Sequence, residues 1–89
     1  MKAVITVTGK DSVGIIALVS NECAIYDANI LEISQSVLSE YFAMIMLADV
    51  SKLKISFIEF ADKMKQLGAQ RGLEIHAMHE DIFNSMHKI

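Results

Sequence analysis

Apolar residues in this chain recur at a spacing of two, then of three to four, then twice at two, again at three to four, and a last time at two. That order constrains the fold more than any other feature, because period two marks strands and period 3.6 marks helices. It reads strand, helix, strand, strand, helix, strand, the split βαβ pattern of a ferredoxin-like sandwich. Right-handed crossovers place both helices on one face of a four-stranded antiparallel sheet. The expected class is therefore α+β, a βαββαβ core over residues 1–80 with a short helical tail at 81–89, in a single domain.

Each element carries its own signals. "AVITVT" at 3–8 alternates Ala3, Ile5 and Val7 with Val4, Thr6 and Thr8, both sets small or β-branched, as suits a central strand. Gly9 is expected to end it, with a helix starting near Asp11 or Ser12, either of which can cap free amides. Ile15 or Ile16, Val19, Cys23 and Tyr26 form that helix's apolar stripe, and "YDAN" at 26–29 closes it. "ILEISQSVL" then sets Ile30, Glu32, Ser34 and Ser36 against Leu31, Ile33, Gln35 and Val37. After "SE" at 39–40 comes the more apolar "YFAMIMLADV", close enough for an antiparallel hairpin.

"SFIE" at 56–59 has the form of a capping box, with Ser56 at the cap and Glu59 three places on. Phe57, Phe60, Ala61, Met64 and Leu67 follow at helical spacing, and Gly68 or Gly72 marks the end. "LEIHAMH" alternates Leu73, Ile75 and Ala77 with Glu74, His76 and Met78. The tail places Ile82, Phe83, Met86 and Ile89 where they need cover, from this domain or a neighbour. Leu31, Ile33, Val37, Met44, Met46 and Met78 are together too apolar for two wet sheet faces, so an added layer is expected from the tail, a partner, or both. The five methionines at 44, 46, 64, 78 and 86 read first as core filling and second as a pliable recognition surface, with Met44 and Met46 sharing one strand face.

Charge and composition narrow the function. The formal net charge is −3, with 11 acidic and 8 basic side chains spread evenly, and no basic stripe is present. Neither nucleic acid nor an anionic membrane is an expected partner, since both reward clustered Lys and Arg. No signal-like or membrane-length apolar run occurs, and the single cysteine cannot form an internal disulfide, so a cytoplasmic location is expected. An apolar content of 53% in so short a chain favours self-association.

Candidate chemistry is sparse. "GKDSVG" at 9–14 is neither a Rossmann fingerprint nor a Walker loop, because Ile15 follows Gly14 where a lysine would be needed. Two readings stay open. Free amides at the helix start can hold a carboxylate while Asp11 holds an ammonium, which suits a zwitterion. Alternatively, Asp11 only caps the helix and Gly14 packs against the sheet. His76 and His79 would point to opposite faces of a strand, a poor metal geometry, and His87 adds no metal motif. Cys23 has no evident histidine partner, and the carboxylate pairs Asp27 with Glu32 and Glu80 with Asp81 lie in no recognisable pocket. The expectation is a non-enzymatic binding module without metal or cofactor.

"ITVTGKDSVGI" at 5–15, "ANILEISQS" at 28–36, "YFAMIMLADVS" at 41–51 and "HEDIFNSMHKI" at 79–89 carry a family resemblance over essentially the whole chain. The sequence resembles the ACT domain, a small regulatory module of amino-acid metabolism. It is most similar to the stand-alone ACT proteins of the UPF0237 group, whose closing segment is distinctive. The resemblance implies sheet order 4-1-3-2, side-by-side pairing into a homodimer or higher homo-oligomer, and a small amino acid bound between subunits. It places that ligand where the first crossing of one subunit meets the helix-to-second-strand region of another. On that basis Asp11 receives the ammonium, amides near Ser12, Val13 and Gly14 the carboxylate, and Asn29, beside Ile30, a further contact. Val13 departs from the proline found there in many ACT domains, which loses a fixed φ. The alternative is a structural or interaction module whose dimer surface and tail engage a separate protein partner.

Overall fold

The computed structural model describes residues 1–10 and 13–86. The chain runs β1 (Lys2–Lys10), α1 (Ile15–Ile25), β2 (Asn29–Leu38), β3 (Tyr41–Asp49), α2 (Phe57–Arg71), β4 (Glu74–His79) and α3 (Glu80–Met86). The four strands form one antiparallel sheet in the order β2-β3-β1-β4, the order the family resemblance implies.

The ladder explains which residues are buried. Ala3, Ile5 and Val7 of β1 lie opposite Ala48, Met46 and Met44 of β3, and Ile5 and Val7 also face Ala77 and Ile75 of β4. This layer meets Ile15, Val19 and Cys23 of α1 and Phe60 and Met64 of α2 in one cluster. Met44 and Met46 are core fillers beneath the helices, the first of the two readings of the methionines, and Ile33 and Val37 share that face of the sheet. Val4 points the other way and is 4% exposed, yet it lies outside that cluster. α3 contacts β1 and β4, while its Ile82 and Met86 remain 51% and 65% exposed.

Local chemistry fixes the element ends. Ser56 Oγ accepts the Glu59 amide at 3.2 Å and its hydroxyl donates to Glu59 Oε1 at 3.1 Å, so the capping signal is realised. Gly72, at φ 68°, is the cap that closes α2, while Gly68 lies buried inside that helix. A methyl on Gly68 would sit 2.6 Å from the Leu73 carbonyl oxygen, so glycine there permits the close approach of α2 to the β4 entry. The β2–β3 hairpin closes through Ser39 and Glu40 between Leu38 and Tyr41, with Ser39 at φ 58°.

Two boundaries differ from the sequence reading. β1 continues past Gly9 to Lys10, and α1 starts at Ile15 instead of near Asp11 or Ser12. In addition, a bulge between Ile30 and Glu32 shifts β2 by one residue. Ile30 therefore joins Ile33, Gln35 and Val37 on the helix-facing side, opposite Ala48, Met46, Met44 and Phe42. Strict alternation cannot anticipate such an insertion.

Candidate functional site

Of the first crossing, Asp11 and Ser12 lie outside the described residues. Val13 is fully solvent-exposed. Gly14 is the N-cap of α1 with φ 88°, and its carbonyl accepts the Leu18 amide at 2.9 Å. A Cβ added at Gly14 would meet nothing within 4 Å. Glycine is required there by its left-handed backbone, and the reading in which Gly14 packs against the sheet is corrected. Gly9 does that packing: a Cβ there would lie 2.7 Å from Leu73 Cδ2 and 3.3 Å from the Gly72 oxygen.

Gly14 has no side chain with which to cap, and the first turn of α1 holds no acidic residue. Its leading amides therefore carry the partial positive charge of a helix start without a described side-chain acceptor. That end opens into a cleft of about 230 Å³. Gly14, Ile15, Ile16 and Ala17 form the helix wall; Gln35, Val37 and Phe42 form the sheet wall.

Asn29 opens β2 opposite Asp49. With Asp27, Asp49, Ser51 and Lys52 it lines a second concavity of about 220 Å³. Asp49 Oδ1 accepts from the Ser51 hydroxyl at 2.6 Å and the Ser51 amide at 2.9 Å, and these two bonds hold its carboxyl below the usual range. The Met1 ammonium donates to Ser51 Oγ at 2.8 Å, tying the chain start to this corner. Asp27 Oδ2 lies 3.8 Å from Lys54 Nζ, an exposed ion pair. Ile30 is half-buried and packs on the core, so it supports the strand start and does not line this concavity.

Within one protomer these two places do not meet. β2 carries the chain from Asn29 to the hairpin end beside Gly14, and ten residues of strand span roughly 30 Å. A wider concavity of about 550 Å³ adjoins Asn29 through Ala24, Asp27, Ala28 and Lys52, and another of about 570 Å³, lined by Met1, Lys2, His79, Glu80 and Asp81, holds none of the expected site residues.

The remaining reactive groups are engaged elsewhere. His76 Nε2 lies 3.2 Å from Glu74 Oε2 on the far face. His79 stacks on Phe57, ring centroids 4.2 Å apart, on the helix-facing side. The two histidines thus face apart, and among the described residues no group of His, Cys, Asp and Glu is arranged to hold a metal. His87 lies outside the described residues. Burial, and then the charge of Glu22, push the Cys23 thiol up to about 11, so it stays protonated. No helix among the described residues is long and apolar enough to cross a membrane.

Sequence reasoning did not assign Gln35, Val37 and Phe42 to the first cleft, nor Asp27, Asp49, Ser51 and Lys52 to the concavity around Asn29. The signal for the first group was their shared strand face next to a tight hairpin, which identifies the end of the sheet they occupy only once the register is known.

The sequence matches the family model for the ACT domain over residues 2–78. It is similar to a UPF0237 protein of Clostridium acetobutylicum, 48% identical over the full length of both chains. A UPF0237 protein of Listeria innocua is 43% identical, again over all of both. Among solved structures, an ACT domain protein from Streptococcus pneumoniae superposes with a TM-score of 0.81 at 39% identity, covering 98% of each chain. A formyltetrahydrofolate deformylase from Pseudomonas syringae pv. tomato superposes at TM-score 0.78 and 22% identity, covering 88% of this chain and 27% of the deformylase, a likeness of fold alone.

Proposed function

Because the chain belongs to the ACT domain family, we propose that it is a non-catalytic regulatory module, working in the cytoplasm, that binds a small amino acid or related metabolite between two subunits. The observation that carries this reading is the separation of Gly14 and Asn29, each lining its own half-open concavity at an opposite end of β2. A two-fold antiparallel pairing of β2 with β2 of a second copy brings the start of one strand to the end of the other. Asn29 of each subunit then stands at the same end as Gly14 of its neighbour. In that composite site the amides near Ser12, Val13 and Gly14 take the ligand carboxylate, Asp11 receives its ammonium, and Asn29 contributes an amide from across the seam. Ile30 holds the base of that strand.

A ligand held this way favours the assembled dimer over free subunits, which is coupling between binding and association. The buried, protonated Cys23 leaves no thiolate for nucleophilic work. Calorimetry and thermal melting against the common amino acids at millimolar concentration test the proposal. A ligand at a hundred times its Kd adds about 2.7 kcal/mol of stability. For a domain of this size that is a melting rise of more than about 10 °C. Neither heat nor a melting shift for any amino acid would overturn the sensing role.

The exposure of Ile82 and Met86 on α3 favours a second reading, an interaction module whose tail engages a separate protein. Removing residues 82–89 separates the two: partner capture would fail while amino-acid binding persists.

A further inference from the structure

β4 is an edge of the sheet, and α2 packs beside it. The ladder fixes which of its backbone groups are free. The Val50 amide donates to the Met1 carbonyl at 2.9 Å, extending the β1–β3 register by one pair. Ala3, Ile5 and Val7 therefore turn their backbone groups to β3, and Val4, Thr6 and Thr8 turn theirs to β4. The β4 partners of that second set, Met78, His76 and Glu74, point back at β1. That leaves the amides and carbonyls of Ile75 and Ala77 directed outward. Among the described residues none of these outward groups has a partner.

α2 flanks that edge with a second face. Phe60, Met64 and Gly68 are buried in the core. Ile58, Ala61, Asp62 and Lys65 recur at helical spacing and, with Ile75, His76 and Ala77, line a groove of about 240 Å³. Ile58 is 82% exposed there. Helix and strand run in opposite directions, since Phe57 stacks on His79 while Gly68 abuts Ile75. The groove thus has an apolar end at Ile58 and a basic end at Lys65. Lys65 has no acidic partner among the described residues, whereas Asp62 accepts from the Gln66 side-chain amide at 2.8 Å.

We infer that this edge and groove take an extended segment of another protein as an added strand, antiparallel to β4. An apolar residue of that segment lies beside Ile58 and Ala61, and an acidic residue two positions later lies beside Lys65. An extended backbone supplies donors and acceptors at the spacing of the free groups on Ile75 and Ala77, and the groove reads alternate side chains. Residues two apart share a face, and a chain antiparallel to β4 runs from the Ile58 end to the Lys65 end. A second copy of β4 fits less well, because a two-fold pairing sets the apolar end of each groove against the basic end of the other. β4 lies at the opposite edge from β2, so the surface stays open in the dimer proposed above and does not depend on amino-acid binding.

The test is amide hydrogen exchange, read by NMR on the full chain, with a capped synthetic peptide of sequence threonine-valine-threonine-glutamate-threonine. Its valine and glutamate lie opposite Ala77 and Ile75 and share their face, so their amides make the edge bonds. With the peptide at ten times its Kd, exchange at Ile75 and Ala77 slows about tenfold. Amides of β2 are unchanged. N-methylation of the valine and glutamate amides abolishes the slowing. Lys65→Glu, at an exposed position, weakens the peptide about fivefold. A peptide with lysine in place of glutamate restores binding to that variant. No slowing at millimolar peptide overturns the inference, as does equal binding of the N-methylated peptide or of one with valine and glutamate exchanged. If both amides are protected without peptide, and more so at higher protein concentration, a second copy covers the edge and the inference fails.

Discussion

Gly14 stands at the junction on which the proposed site depends, and its replacement isolates one physical effect. Its φ of 88° lies in the left-handed region, where an L side chain costs about 1–2 kcal/mol. The surroundings add nothing, since a Cβ there meets no atom within 4 Å. Alanine also restricts the unfolded chain, which offsets roughly 0.4–1 kcal/mol, but the backbone strain is the larger quantity at positive φ. Gly14→Ala is therefore expected to lose about 1 kcal/mol, a drop in Tm of roughly 4–8 °C for a domain of this length. Gly14→Asn should lose less, because asparagine tolerates the left-handed region better than other L residues. Thermal and urea unfolding at one fixed protein concentration read both variants, since association would otherwise shift the midpoint. If alanine is as stable as glycine, or asparagine is worse than alanine, the dihedral argument is refuted.

Three further outcomes follow from single contacts. Gly68→Ala gains about 1 kcal/mol in helix propensity but places a methyl 2.6 Å from the Leu73 oxygen and 3.2 Å from the Ile75 nitrogen. Overpacking against backbone costs about 1–3 kcal/mol, so the urea midpoint should fall with the m value unchanged. Ser39→Gly relieves a non-glycine φ of 58° in the hairpin and should raise stability by about 0.5–1 kcal/mol in the same assay. Asp49 has its folded pKa lowered by Ser51, so its contribution is present above the ordinary carboxylate pKa and is lost as pH falls through the folded value. Asp49→Asn should flatten the acid limb of a stability-versus-pH curve below about pH 4 and leave the neutral region's slope unchanged.

Much of the fold was legible because its signals are local and repeated. Val4, Thr6 and Thr8 against Ala3, Ile5 and Val7 define a strand from side-chain period alone, and the sheet assigns the second set to the core as that alternation requires. Ser56 with Glu59 fixed the start of α2 to the residue, through hydrogen bonds that the spacing makes possible. The misplacements share a cause in backbone that departs from regular periods. The bulge at Leu31 adds one residue to β2 and moves Ile30 to the other face. At the first crossing the α1 start falls on Gly14, because a left-handed glycine can enter a helix without a polar side chain, and Asp11 or Ser12 looked the better cap only by residue type. Met44 and Met46 were ambiguous for a third reason, since their face depends on a hairpin register that composition does not encode.

The candidate site was harder to read than the fold because its expected residues line separate concavities within one chain. Gly14 and Asn29 are fifteen positions apart in sequence and flank α1, which sets Gly14 beside Gln35 and Val37 while Asn29 opens β2 at its other end. In the proposed dimer, two-fold symmetry brings them together. The same symmetry yields two equivalent sites per dimer. Each proposed site takes its helix amides from one subunit and its asparagine from the other, so ligand affinity and subunit affinity must rise by the same factor.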